Sequence, residues 1–107
     1  MAVNLIDIAS VIRSKNAGPY ELTLDIIFSS RGWYEKATAA ESINRELISR
    51  LYQVPPDDIL ELVHFEPAAA IKITMRRPRV AGDVGETDVY GAQQHAPLLA
   101  IVLNLEP

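Results

Sequence analysis

Apolar and polar residues alternate along two stretches of the chain, a period of two that is typical of a half-buried β-strand. One stretch covers residues 20–28 and the other covers residues 71–76. Residues 98–105 are apolar almost throughout, which predicts a strand that is covered on both faces at the centre of a sheet. A further strand is predicted at about residues 60–65.

Helical signals lie between residues 28 and 60. Ser42 is expected to cap a helix, because a serine hydroxyl at the first position accepts a hydrogen bond from a free backbone N–H. Three apolar residues of this helix fall on one stripe, which predicts packing on that side: Ile43, Leu47 and Leu51. Residues 33–40 form a shorter predicted helix. Residues 55–58 predict one more helical turn, since a proline comes early and two acids follow it.

The opening segment, residues 5–12, fits two different periods. Its apolar residues fit a helical repeat that begins at Leu5, and they also fit an alternation through Ile6, Ile8 and Ile12. The pattern therefore leaves helix and strand open. A sheet whose helices are segregated from its strands predicts an α+β two-layer sandwich.

Length and composition indicate a single folded domain, residues 1–107. Hydrophobic residues make up 49% of the chain and charged residues 22%, a balance typical of a globular protein. No apolar run approaches the ~20 residues of a membrane span, and the first ten residues lack the pattern of a secretory signal. The absence of cysteine excludes disulfides and thiol nucleophiles. We expect a cytoplasmic protein that does not enter a membrane.

The distribution of charge disfavours nucleic acid as a partner. The formal net charge is −4, and the one basic cluster, residues 76–79, is followed closely by Asp83, Glu86 and Asp88. Proteins that bind nucleic acid usually present a sustained basic face, because contacts to phosphate supply most of their affinity. Acids next to the only arginine cluster would cancel its positive electrostatic field.

Residues 13–18 combine two cations, a hydroxyl, an amide and a glycine: Arg13, Ser14, Lys15, Asn16 and Gly18. Backbone N–H groups of a turn that contains glycine can surround an anion, and Arg13 can hold a carboxylate or phosphate through two parallel hydrogen bonds. The competing interpretation is a polar hairpin turn between two strands, in which Asn-Ala-Gly serves only the geometry of the turn. The sequence leaves both open.

Residues 90–97 form the second unusual stretch. Gln93 and Gln94 offer amide donors and acceptors, and His95 belongs to the residue type that titrates near neutral pH. Such a set can orient a carbonyl or carboxylate and move a proton. The competing interpretation is a loop whose polar groups cap neighbouring backbone on the way into the last strand, and it too remains open.

We expect no metal and no cofactor. The two histidines, His64 and His95, carry no spacing signal for a metal site, and the acids do not follow the spacing of a calcium loop. The sequence lacks the phosphate-loop, dinucleotide-binding and nucleophile-elbow motifs. His64, next to Phe65 in an apolar stretch, is interpreted as a core or edge residue.

Three segments resemble a family of small bacterial proteins of uncharacterised function: IASVIRSKNAGPYELTLDIIF, AIKIT and DVYGAQQHAPLL. More distantly, the chain resembles the small C-terminal ferredoxin-like domain of the acyclic-terpene-utilisation A family. That domain has an arginine, a serine and a glycine in a turn after its first strand, as Arg13, Ser14 and Gly18 do here. The resemblance implies a ferredoxin-like sandwich with a mostly antiparallel sheet and helices on one face, and it implies that residues 5–12 form a strand.

The same resemblance implies a function. It suggests a small subunit of a two-component enzyme, of lyase or hydratase type, whose large subunit belongs to the acyclic-terpene-utilisation A family. The expected ligand is a small carboxylate or an acyl-coenzyme A in the breakdown of organic acids. Two alternatives stay open: a stand-alone module that binds an anionic metabolite, and an architectural domain that forms homo-oligomers through its sheet or an edge strand.

The two polar stretches are predicted to converge on one anion-binding site at one end of the sheet. His95 is its predicted general acid or base. The predicted ligand-binding residues are Arg13, Ser14, Lys15, Asn16, Gly18, Tyr90, Gln93 and Gln94.

Overall fold

Six strands, three α-helices and three short 3₁₀ turns make up the domain in the computed structural model, which describes residues 1–18, 20–76 and 95–105. In chain order the main elements are β1 (Ala2–Asn4), α1 (Leu5–Ile8), β2 (Ala9–Asn16), β3 (Glu21–Phe28), α2 (Arg31–Ala39), α3 (Arg45–Tyr52), β4 (Ile59–Phe65), β5 (Ala70–Arg76) and β6 (Val102–Asn104). The 3₁₀ turns are Pro56–Asp58, Glu66–Ala68 and Ala96–Ala100. The helical turn predicted at residues 55–58 is confirmed.

The larger sheet has the strand order β2-β3-β5-β4, and every neighbouring pair in it is antiparallel. β3 and β5 are its central strands, while β2 and β4 are its two edges. Within the described ranges, a second sheet consists of β1 and β6, again antiparallel. Three of the predicted strands, at residues 20–28, 60–65 and 71–76, are confirmed in the larger sheet.

Helices cover one face of the larger sheet, which we call the inner face. Alternation in β3 and β5 places their large apolar side chains there, fully buried, as in Leu24 and Ile73. They join Tyr34 of α2 and Ile48 of α3 in one core cluster. Tyr34 also meets the Phe28 ring edge to face, at 6.0 Å between centroids. The predicted α+β sandwich is confirmed, and its arrangement of sheet and helices is consistent with a ferredoxin-like fold.

Polar side chains fix the starts of the two longer helices. The Ser30 side chain accepts a hydrogen bond from the Trp33 N–H at the start of α2, and the Asn44 side chain accepts one from the Leu47 N–H at the start of α3. Each satisfies a backbone donor that would otherwise have no partner. The prediction that Ser42 caps the second helix was therefore wrong by two residues.

The prediction of a central strand at residues 98–105 was wrong. Ala96–Ala100 is a 3₁₀ turn that packs against α1 and α3, with Leu98 fully buried. The strand that follows, β6, has three residues and pairs only with β1 among the described elements. The run is also only partly buried, because Leu98, Ile101 and Leu103 are buried whereas Leu99 and Val102 are exposed. A continuous apolar pattern therefore did not indicate a strand covered on both faces.

Residues 5–12 turned out to contain both predicted alternatives. Leu5–Ile8 forms α1, a single helical turn with Leu5 and Ile8 buried, and β2 begins directly at Ala9. The strand implied by the resemblance is thus confirmed only for its second half. Among the described residues, no helix has both the length and the apolar character needed to cross a membrane.

Candidate functional site

The outer face of the larger sheet, opposite the helices, carries a row of charged residues. Strand pairing aligns Arg13 of β2 with Asp25 of β3, and Asp25 with Lys72 of β5. Residues directly opposite in an antiparallel pair point to the same face of the sheet. The three charges therefore lie side by side across three strands.

Arg13 and Asp25 form an ion pair, with Arg13 Nε 2.9 Å from Asp25 Oδ2. The Asp25 side chain is only 16% exposed, whereas the Arg13 side chain is 60% exposed. Within the described residues, the two terminal nitrogens of Arg13 donate no hydrogen bond and the Lys72 ammonium has no ion pair. Two cations around one carboxylate leave a local surplus of positive charge on a chain whose net charge is negative.

A hollow of about 210 Å³ adjoins this row of charges. Arg13, Asp25 and Lys72 line its charged end. Its apolar lining comes from strands β3, β4 and β5 and the turn before β5: Ile27, Phe65, Ala68 and Ala70. The hollow is therefore amphipathic, with charge at one end and apolar surface at the other.

The short connection between β4 and β5 creates the room for this hollow. Ala68 and Ala70 present only methyl groups beside the larger ring of Phe65, which is 52% exposed. Between them, Ala69 adopts a left-handed conformation with φ of 51°, which reverses the chain. Arg31 of α2 donates a hydrogen bond of 2.6 Å to the Glu66 carbonyl and holds the turn from the helical side.

The structure separates the predicted ligand-binding residues of the first stretch. β2 continues through Asn16, so the prediction that all of residues 13–18 form a turn was wrong. Arg13 and Lys15 lie on the outer face, whereas Ser14 and Asn16 alternate to the inner face, where Ser14 is buried. The strand continues because pairing with β3 satisfies its backbone groups and places Ser14 opposite Leu24.

Gly18 is in the short turn that joins β2 to β3. Its φ of 101° is a conformation that side chains other than glycine rarely adopt. Ala17 N–H donates to the Glu21 carbonyl and closes the hairpin. Turn geometry alone therefore accounts for this glycine. This is the role that the competing interpretation of the sequence gives to Asn-Ala-Gly.

The second polar stretch lies largely outside the described residues. This applies to Tyr90, Gln93 and Gln94. His95 directly precedes the 3₁₀ turn that packs against α1 and α3, and its carbonyl accepts a hydrogen bond from Leu98 N–H. Convergence of the two stretches on one site stays a prediction.

Sequence reasoning missed Asp25, Lys72 and Phe65 as site residues. The alternating pattern already placed Asp25 and Lys72 on the polar side of their strands. What it did not supply was the register that aligns them with Arg13, because β3 and β5 are separated by both helices and β4. His64, interpreted as a core or edge residue, lies exposed on the edge strand β4.

No three acids or histidines among the described residues come close enough together to hold a metal ion. A larger hollow, of about 390 Å³, lies between the end of α2 and β6 and is lined by Lys36, Ala39, Ala40 and Asn104. Lys36 in this lining lies with its ammonium group 4.9 Å from the centre of the Trp33 ring. The outer-face hollow is the better candidate site, since charged and apolar groups converge there.

The fold and this surface define a small α+β domain whose sheet presents a charged and apolar hollow on the face opposite its helices. Residues 5–102 match the family described as a domain of unknown function, DUF4387. The chain belongs to this family, because the match covers nearly all of it. No curated protein matches the chain significantly, and neither does any solved structure.

Proposed function

We propose that this protein is the small subunit of a two-component enzyme and that its outer-face hollow helps to bind a carboxylate or acyl-coenzyme A substrate. The proposed large subunit belongs to the acyclic-terpene-utilisation A family, and the proposed setting is the breakdown of organic acids. The observation that carries the proposal is the amphipathic hollow, in which Arg13 and Lys72 flank Asp25 beside the apolar surface around Phe65.

The chemistry of the hollow fits an acid with an apolar tail. The terminal nitrogens of Arg13 present two parallel donors to a carboxylate or phosphate, and Lys72 adds a point charge. Asp25 holds Arg13 through Nε, and no other described residue accepts a hydrogen bond from its terminal nitrogens, which can therefore face a ligand. An acyl chain would then cover Ile27 and Phe65, which removes apolar surface from water.

The size of the hollow supports the need for a second chain. Small-molecule sites usually enclose about 300–1,000 Å³ and bury most of their ligand. A hollow of about 210 Å³ on an open sheet face is too small and too shallow to do so alone. A large subunit that docks over the outer face would complete the walls and exclude water.

The first test is assembly. The chain should co-purify in fixed stoichiometry with a large subunit of the acyclic-terpene-utilisation A family from the same organism. Failure to form this complex under mild conditions would contradict the two-component proposal.

The second test is binding, measured by titration calorimetry on the assembled complex with a branched short-chain carboxylate and with its coenzyme A thioester. Arg13→Ala should weaken binding roughly tenfold, since a hydrogen bond to a charged group is worth about 1.5–3 kcal/mol. Arg50→Ala is the matched control, because Arg50 is an exposed arginine on α3, away from the hollow. Equal affinities in the two variants would exclude the outer-face hollow as the ligand site.

A further inference from the structure

The edge strand β4 exposes an unusual amount of apolar surface. Leu60 is 37% exposed, Val63 39% and Phe65 52%, all within seven residues. Within the described part of the chain β4 pairs only with β5, so its other side presents unpaired backbone N–H and C=O groups. An exposed apolar edge strand of this kind readily pairs with another strand.

Charges of both signs lie next to β4. A groove between β4 and the start of α3 is lined by Glu41 and Arg45 together with Leu62 and His64. A patch that contains both signs can face a copy of itself across a two-fold axis, because each acid can meet the base of the other copy. These charges favour a second copy of this chain as the partner that pairs with β4.

The register of β4 suggests where the axis lies. A bulge between Ile59 and Glu61 interrupts the pairing with β5, and from Glu61 to Phe65 the pairing is regular. Val63 is the midpoint of this regular segment. Antiparallel pairing of two β4 strands centred on Val63 includes every residue from Glu61 to Phe65. It also places inner-face residues of one copy opposite inner-face residues of the other.

We propose that two copies of the protein associate through antiparallel pairing of their β4 strands, with the two-fold axis at Val63. The two sheets of four strands then become one sheet of eight. Leu62 lies opposite the partner's His64 on the inner face, and Glu61 lies opposite the partner's Phe65 on the outer face. The unpaired backbone groups of both β4 edges become satisfied in the same step.

Light scattering coupled to size exclusion, over a series of protein concentrations, tests this association on the full chain. The wild-type protein should reach twice the mass of the 11.8 kDa chain. Val63→Lys places two like charges against each other at the axis and should weaken association by roughly tenfold or more. Val102→Lys is the matched control, since Val102 is an exposed valine on β6, and it should associate like the wild type.

Cross-linking gives a second test that does not depend on weakening the dimer. The chain contains no cysteine, so a single introduced thiol can form a disulfide only between two molecules. Val63→Cys should form a covalent dimer under mild oxidation much faster than Val102→Cys, because residues opposite each other across paired strands have Cβ atoms about 4.5–5.5 Å apart.

Three outcomes would overturn the proposal. One is a wild-type protein that stays monomeric at every concentration, and another is a Val63→Lys variant that is folded by circular dichroism and still dimeric. The third is equal cross-linking rates in the two cysteine variants. Arg13 lies on the opposite edge of the sheet, so the Arg13→Ala binding test addresses the proposed substrate site separately.

Discussion

The two edges of the larger sheet, β2 and β4, have similar lengths and opposite surfaces. On its outer face β2 carries the cations Arg13 and Lys15, whereas β4 exposes Val63 and Phe65. Charged side chains, and lysine in particular, protect an edge strand from pairing with other strands. A second copy of β2 would bring like charges together, while a second copy of β4 would cover apolar surface.

This difference indicates a division of roles within one sheet. The cationic edge is poor at pairing and well suited to an anionic ligand, and the apolar edge is well suited to pairing. The central strands β3 and β5 connect both edges through one buried row that contains Leu24 and Ile73. Variants at the centre, at the cationic edge and behind the apolar edge therefore test this division of roles.

The largest effect is expected at the centre. Leu24→Ala should lower the free energy of unfolding by about 2–5 kcal/mol, because Leu24 is fully buried and its truncation leaves a cavity. Both edges should lose order together. Urea unfolding followed by circular dichroism measures this, with Val102→Ala, at an exposed valine of β6, as a control of much smaller cost. Similar costs for the two variants would show that the centre does not hold the edges in place.

The next largest effect is expected behind the apolar edge. Asn44→Ala removes the side chain that caps α3, the helix that contacts β4, and should cost about 0.5–2 kcal/mol of unfolding free energy. Ser30→Ala removes the corresponding cap of α2, which contacts β3, and provides the comparison. Only Asn44→Ala should also weaken self-association. If both variants weaken it equally, the effect is general destabilisation and not specific to β4.

A smaller effect on stability is expected at the cationic edge. Asp25→Asn removes the charge of the ion pair but keeps an amide oxygen that can accept the hydrogen bond from Arg13 Nε. It should change the unfolding free energy by less than about 1 kcal/mol, because Arg13 is largely exposed. The same change removes a negative charge from the hollow and should strengthen carboxylate binding by the assembled complex. Asp58→Asn breaks a second ion pair of the described residues, in which Asp58 Oδ1 lies 3.7 Å from Arg76 Nη1, and should leave binding unchanged. Weaker binding by Asp25→Asn would contradict the proposed site.

The smallest effect at neutral pH is expected from Tyr52 at the end of α3. Burial raises the pKa of Tyr52 above its ordinary value, so the folded state favours the neutral phenol. The resulting stability is fully present below about pH 10, the ordinary tyrosine pKa, and is lost as pH rises above it. Tyr52→Phe should therefore lessen the alkaline fall of the urea midpoint. Tyr20→Phe, at an exposed tyrosine beside the β2–β3 turn, should not.

Local patterns predicted the larger sheet well and the pairing of distant segments poorly. The alternation at residues 20–28 and 71–76 is a local property of each strand, so β3 and β5 could be predicted from it. The short β6 could not, because its pairing with β1 joins opposite parts of the chain. Arg13 was identified by its chemistry. Its neighbours Asp25 and Lys72 depend on register across three strands, which one sequence does not supply.

The pairing of β1 with β6 also bears on the order in which the chain folds. The Met1 amino group donates to Asn104 Oδ1 at 2.9 Å across a separation of 103 residues, and Leu105 N–H donates to the Met1 carbonyl. Closing so long a loop costs more entropy than closing the β2–β3 hairpin, so this pairing is expected to form late. Its short strands are also expected to open first. Amide hydrogens of β1 and β6 should then exchange with solvent well before those of Leu24 and its neighbours in β3.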